Sequence, residues 1–174
     1  MTAKEIEIEI ATRYFDKRVD LIIPNITWGF HGFNECDLLV CTKSGYLIEV
    51  EIKISKADII KDKEKRHEHN RKYTKQLYFA IPEKLKVNAD LVPEDAGIIL
   101  VYEEEINSIE NPDYYNNFNK YYQKRPSLFR EAYINKNPMK VTIEDKYNLA
   151  RLGTMRMWNH KKQLFNLKKL RGIK

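Results

Sequence analysis

The chain predicts a mixed α/β fold, and three observations carry that prediction. Two apolar runs, Cys36 to Cys41 and Tyr46 to Ile54, flank the turn Thr42-Lys43-Ser44-Gly45 and read as an antiparallel hairpin. Cap patterns with Ser or Thr followed three residues later by Asp or Glu open helices at Thr2, Ser55 and Thr142. Two further apolar runs, Gln76 to Ile81 and Ala96 to Tyr102, follow the second of these starts. The order is helix, three strands, helix, strand, and then a helical, basic C-terminal extension.

Residues 2 to 16 set two signals against each other. EIEIEI alternates as a strand does, with Glu5, Glu7 and Glu9 in solvent, whereas the Thr2–Glu5 capping box and the unbroken run to Asp16 favour a helix. In a helix, Ala3, Ile6, Ile10 and Tyr14 fall on one side of Glu7, and Ile8, Ala11 and Phe15 on the other. Glu7 then sits near the middle of the apolar arc, which is costly for a carboxylate unless a charge meets it. The plain alternative is an exposed glutamate on a frayed segment. Val19 to Ile23 and Ile26 to Phe30 read as strand material broken at Pro24-Asn25.

Side chains alternate across a strand, so Glu49, Glu51 and Lys53 share one face of the second hairpin strand and Val50, Ile52 and Ile54 the other. The turn brings Asp37 back to about the level of Glu51. Two carboxylates meeting at one spot repel, and burial raises one pKa unless a cation is shared between them. Hard oxygen donors suit Mg²⁺ or Mn²⁺ better than zinc. Lys53 points at the same spot, where an ammonium can orient a water or offset charge at a phosphate. The plain alternative is a half-buried hairpin whose wet face carries a solvated charge pattern. Asp37 argues against it, because it interrupts a strand that reads as buried on both faces.

An Asp, a gap, and Glu-x-Lys on the next strand resembles the active-site pattern of the PD-(D/E)XK nuclease superfamily, with Asp37, Glu51 and Lys53 in the motif positions. Cys36 stands where the family often has Pro. The resemblance spans residues 1 to 102 and implies a restriction-endonuclease-like αβββαβ core. It further implies that Asp37, Glu51 and the backbone carbonyl of Ile52 hold Mg²⁺, with Mn²⁺ as substitute, and that Lys53 serves the attacking water. Many members carry a Glu on the first helix, and Glu7 is the residue for that role. The implied activity is metal-dependent hydrolysis of DNA phosphodiesters, in DNA repair or the processing of phage and mobile-element DNA. Homodimers that cut both strands are common in the family. The rival readings are a catalytically inactive DNA-binding module on the same fold and an unrelated α/β interaction protein.

The 174 residues suffice for one good core. Residues 1–102 form the core domain, and residues 103–174 a Tyr-rich connector plus the basic extension, packed on the same domain. The connector holds Tyr114, Tyr115, Tyr121 and Tyr122 with little periodicity. No apolar run is long enough for a membrane span and the N-terminus is charged, so a cytoplasmic protein without a membrane partner is expected. Cys36 and Cys41 lie on opposite faces of one strand and cannot bridge. His67 and His69 read as a surface pair.

The helix opening at Ser55 is expected to run to about Asn70, nearly all polar, with Lys56, Lys61 and Lys65 placed to meet phosphates. Residues 146 to 174 contain nine Lys or Arg and no Asp or Glu, while residues 1 to 145 balance at −3. Arg151, Arg156, Lys161 and Lys162 therefore belong to a cationic arm, expected to break at Gly153, on a slightly acidic body. Such an arm attracts DNA, and equally RNA or an anionic membrane surface.

Overall fold

The computed structural model describes residues 1–27, 35–64, 72–109 and 118–170. The helix reading of the N-terminus holds over the strand reading. α1 (Ala3–Glu9) has Thr2 as its N-cap in a reciprocal box with Glu5, and a π-helical turn, Ile10–Tyr14, continues it. Burial of Ile6 and Ile10 decides between the two patterns: the exposed Ile8 between them would share their face in a strand, but a helix turns it away.

A six-stranded sheet in the order β1-β2-β3-β4-β5-β6 forms the frame. Its strands are β1 (Leu21–Thr27), β2 (Glu35–Cys41), β3 (Leu47–Ile52), β4 (Thr74–Pro82), β5 (Gly97–Ile109) and β6 (Phe118–Arg130). The first three pair antiparallel, β3, β4 and β5 pair parallel, and β6 returns antiparallel to β5. The β2–β3 turn needs Gly45, whose φ of 88° is left-handed. The parallel crossovers are α2 (Lys56–Glu64), capped by Ser55 with Asp58, and a 3₁₀ helix, Glu83–Leu91.

α1 and its π turn cover one sheet face, where Ile6 and Ile10 meet Leu38, Val40, Val50, Ile52, Tyr78 and Ala80. On the other face α2 and the 3₁₀ helix pack over β4 and β5, with Ile59 and Leu85 against Phe79, Ile81 and Ile98. α3 (Ile143–Leu170) packs Leu149 over β1 and β2, against Ile23, Leu39 and Cys41. On this face, between the β1–β2 and β4–β5 sides, β3 presents Glu49 and Glu51, both buried.

Four expectations change. β1 runs through Pro24-Asn25 as one strand, because Asn25 adopts a left-handed φ of 50° that absorbs the irregularity. A domain boundary at residue 102 falls inside β5. The stretch expected to be an aperiodic connector supplies β6, held to β5 by charge: Lys124 lies opposite Glu103, and Arg125 bonds Glu104 at 2.5 Å. Pro126, which argues against a central strand, is tolerated because β6 is an edge. α3 does not break at Gly153: a lone glycine costs a helix only about 1 kcal/mol, and this one faces Ile23 of β1. Lys65, His67, His69, Tyr114 and Tyr115 lie outside the described residues, as does the expected extension of α2 to Asn70.

Candidate active site

The site is built where β2 and β3 end their pairing. The ladder runs from Cys41↔Leu47 to Leu38↔Val50, so Asp37 and Glu51 would form the next pair. Instead of a backbone bond, the Asp37 carboxylate accepts the N–H of Ile52 at 2.7 Å. In an extended strand the N–H and C=O of one residue leave on the same side, so the Ile52 carbonyl also faces the Asp37 side. The carboxylate, that carbonyl and Glu51 thus converge at one strand end.

Glu51 is 7% exposed and Lys53 is 9% exposed. Lys53 Nζ donates to Glu51 Oε2 at 2.8 Å and pairs with Asp62 Oδ1 at 2.6 Å. Its backbone N–H bonds Ala80 of β4, extending the parallel pairing one residue past β3. Glu49 is buried on the same face and accepts from Thr74 Oγ1 at 3.5 Å.

The electrostatics follow from burial. Desolvation, with the charges of Asp37 and Glu49, pushes the Glu51 carboxyl up to about 7 against the pull of Lys53. Asp37 is raised by burial too, with the Ile52 N–H and Lys53 opposing. Burial works against the Lys53 ammonium, but Glu51 and Asp62 outweigh it and hold its pKa above the ordinary value. Two carboxylates, Glu51 and Asp62, thus hold one ammonium, with Asp37 and Glu49 adding negative charge beside Glu51. The donors are all oxygens, and their negative excess suits a hard divalent cation. Among the described residues, however, no three His, Cys, Asp or Glu side chains already stand as a metal-ligand group.

Asp37, Glu51, Lys53 and the Ile52 backbone are therefore brought together. Glu7 is not among them: it pairs with Lys4 at 2.7 Å, on a helix that packs against the opposite face of the sheet. Lys56 and Lys61 are exposed on α2, and Arg151, Lys161 and Lys162 are exposed on α3, whereas Arg156 is partly buried. Asp62 is the residue the sequence reading lacks. A signal for it exists: with Ser55 as the cap, Asp62 lies three residues past buried Ile59, on the side of α2 that faces the sheet.

A family model described as DNA repair protein MmcB-like matches residues 11–119. The chain belongs to the MmcB-like family. The matched segment contains β2, β3 and α2, hence every residue of the cluster. No match was found among curated proteins. Among solved structures, this MmcB-like chain resembles the SPO1766 protein of unknown function from Silicibacter pomeroyi, at 12% identity and a TM-score of 0.55 over 95% of this chain and 90% of that one. That likeness is one of fold.

Proposed function

We propose that this MmcB-like protein is a metal-dependent nuclease that hydrolyses DNA phosphodiester bonds. The observation that carries the reading is the Asp37 carboxylate bonded to the Ile52 N–H, with Glu51 and Lys53 on either side of that residue. Asp37, Glu51 and the Ile52 carbonyl would hold Mg²⁺, or Mn²⁺ in its place, and such an ion supplies Lewis-acid stabilisation of a phosphate oxygen and a more acidic water. Lys53 holds a proton at Nζ and can orient the attacking water once Glu51 releases it. Asp62 keeps Nζ in position meanwhile, at 2.6 Å. The family description, DNA repair, supports DNA as the polymer. Exposed Lys56, Lys61, Arg151, Lys161 and Lys162 supply cations for its backbone.

A specific observation favours a second reading, a DNA-binding module without turnover. Lys53 is neutralised by both Glu51 and Asp62, and Asp37 is already engaged with a peptide N–H. Comparison of Lys53→Ala with the parent separates the two. Under the nuclease reading, cleavage of supercoiled plasmid with Mg²⁺ falls by about 100-fold or more, as loss of a positioned charge at a transition state does. Equal cleavage by the two would refute the role of Lys53, and DNA binding by the parent without metal-dependent cleavage would leave the binding module standing.

A further inference from the structure

The two sides of α3 differ. Leu149 and Leu152 pack on β1 and β2, and Gly153 faces Ile23. At about 100° per residue these three centre on one side of the helix, and Tyr147, Trp158 and Phe165 fall within about 20° of a single line on the other. The three rings are 68%, 60% and 68% exposed, in that order. Large aromatic side chains gain most from burial, so a line of three left in water marks an interaction surface. Exposed Arg151, Lys161, Lys162 and Lys168 lie within about 60° of the same line. Lys161 Nζ stands over the Trp158 ring at 4.9 Å, so ring and cation form one unit.

Charge and layout name the partner. From residue 146 on, the chain holds nine Lys or Arg and no Asp or Glu, so two copies paired through this helix would set cation against cation. A helix lying on an anionic membrane keeps its cations apart from its apolar side, whereas Lys161 and Lys168 fall between the aromatic line and exposed Leu164. Cations interleaved with aromatic rings suit a polyanion that also offers flat faces for stacking. An unpaired nucleic-acid strand has both, in its phosphates and its unstacked bases. In a duplex the bases stack on one another, and the rings would have nothing to hold.

We propose that the outward side of α3 binds an unpaired DNA strand, its bases stacked on Tyr147, Trp158 and Phe165 and its phosphates met by Arg151, Lys161, Lys162 and Lys168. The choice of DNA rests on the nuclease reading; the choice of an unpaired strand rests on the rings. The helix covers the β1–β2 side of the sheet face that presents Glu51, so the strand is held on the side of the molecule that carries the carboxylates. The substrate class is then DNA with a single-stranded stretch.

Binding of labelled dodecathymidylate to the full chain, measured by fluorescence anisotropy in EDTA, tests this. Trp158→Ala and Phe165→Ala are each expected to weaken binding about fivefold or more, the loss of one stacked base, and Trp158→Phe to keep most of the affinity. Both rings are exposed, so the melting temperature should not move in either variant. A duplex of the same length should bind parent and variants alike. Tryptophan fluorescence should be quenched as the strand is added, and Trp158→Phe should lose that quenching. Unchanged strand affinity in both alanine variants overturns the proposal, and so does an equal loss on the duplex. Displacement of the strand by polyglutamate at equal charge concentration also overturns it, making the stripe a site for an acidic protein. Tighter binding of an oligouridylate of the same length would assign the stripe to RNA and overturn the choice of DNA. Metal-dependent plasmid cleavage that survives any of these results leaves the nuclease reading intact. Ring-dependent strand binding without any cleavage would keep the stripe and sink the enzyme.

Discussion

Asp37 does two things at once. Its carboxylate satisfies a backbone donor that the β2–β3 ladder leaves behind, and it places a carboxyl near the end of a mostly buried strand. Asp37→Ala should therefore remove activity and also expose the Ile52 N–H, at a cost of about 1–3 kcal/mol. Asp37→Asn keeps an acceptor, so urea denaturation should show a smaller loss while cleavage is still abolished. Glu51 yields a prediction about pH. In the metal-free protein its folded pKa, about 7, lies above the ordinary 4.5. The folded state then holds the proton more tightly than the unfolded chain. Stability from this group is fully present below pH 4.5 and lost as the pH rises to about 7, and the raised Asp37 adds in the same direction. Melting in EDTA should show that decline, and Glu51→Gln should flatten it. At this scale the sequence was highly legible, because strand alternation and a short turn place Asp37, Glu51 and Lys53 with little freedom. Asp62 was less so, since its role depends on how α2 crosses the sheet.

At the scale of elements, the three cap pairs formed as their spacing indicates. At the third, Thr142 and Asp145 bond reciprocally at the start of α3. That helix is not a loose appendage. Leu149 is fully buried against β1 and β2, and Lys146 Nζ bonds the carbonyl of Lys43 in the hairpin turn. Leu149→Ala should destabilise the protein by about 2–5 kcal/mol, read as a shifted denaturation midpoint. β6 was illegible for a physical reason. Its visible partners are charges, and only pairing with β5 distinguishes Lys124 and Arg125 from a solvated loop. The continuity of α3 through Gly153 was hidden likewise, since the helix gains its stability from packing on β1 rather than from local propensity.

Over the whole molecule, charge and chemistry are segregated. The carboxylate cluster sits between the α2 and α3 sides of one sheet face, and the basic excess is confined to residues 146 to 174. No described helix is long and apolar enough to cross a membrane. Charge reversal at exposed Lys161 and Lys162, beyond the packed part of α3, should weaken DNA binding while leaving the melting temperature unchanged. The slope of log affinity against log salt should fall by about 0.9 for each phosphate that is no longer neutralised. The charge asymmetry was plain in the sequence, but that Arg156, alone among the predicted cations of the arm, is partly buried was not.

Cleavage of supercoiled plasmid with EDTA, Mg²⁺ or Mn²⁺, beside an Asp37→Ala control, tests the central claim most directly. Cutting that requires the divalent ion and disappears in the control is the predicted result. DNA bound by both proteins and cut by neither would contradict the nuclease reading and leave a binding module in its place.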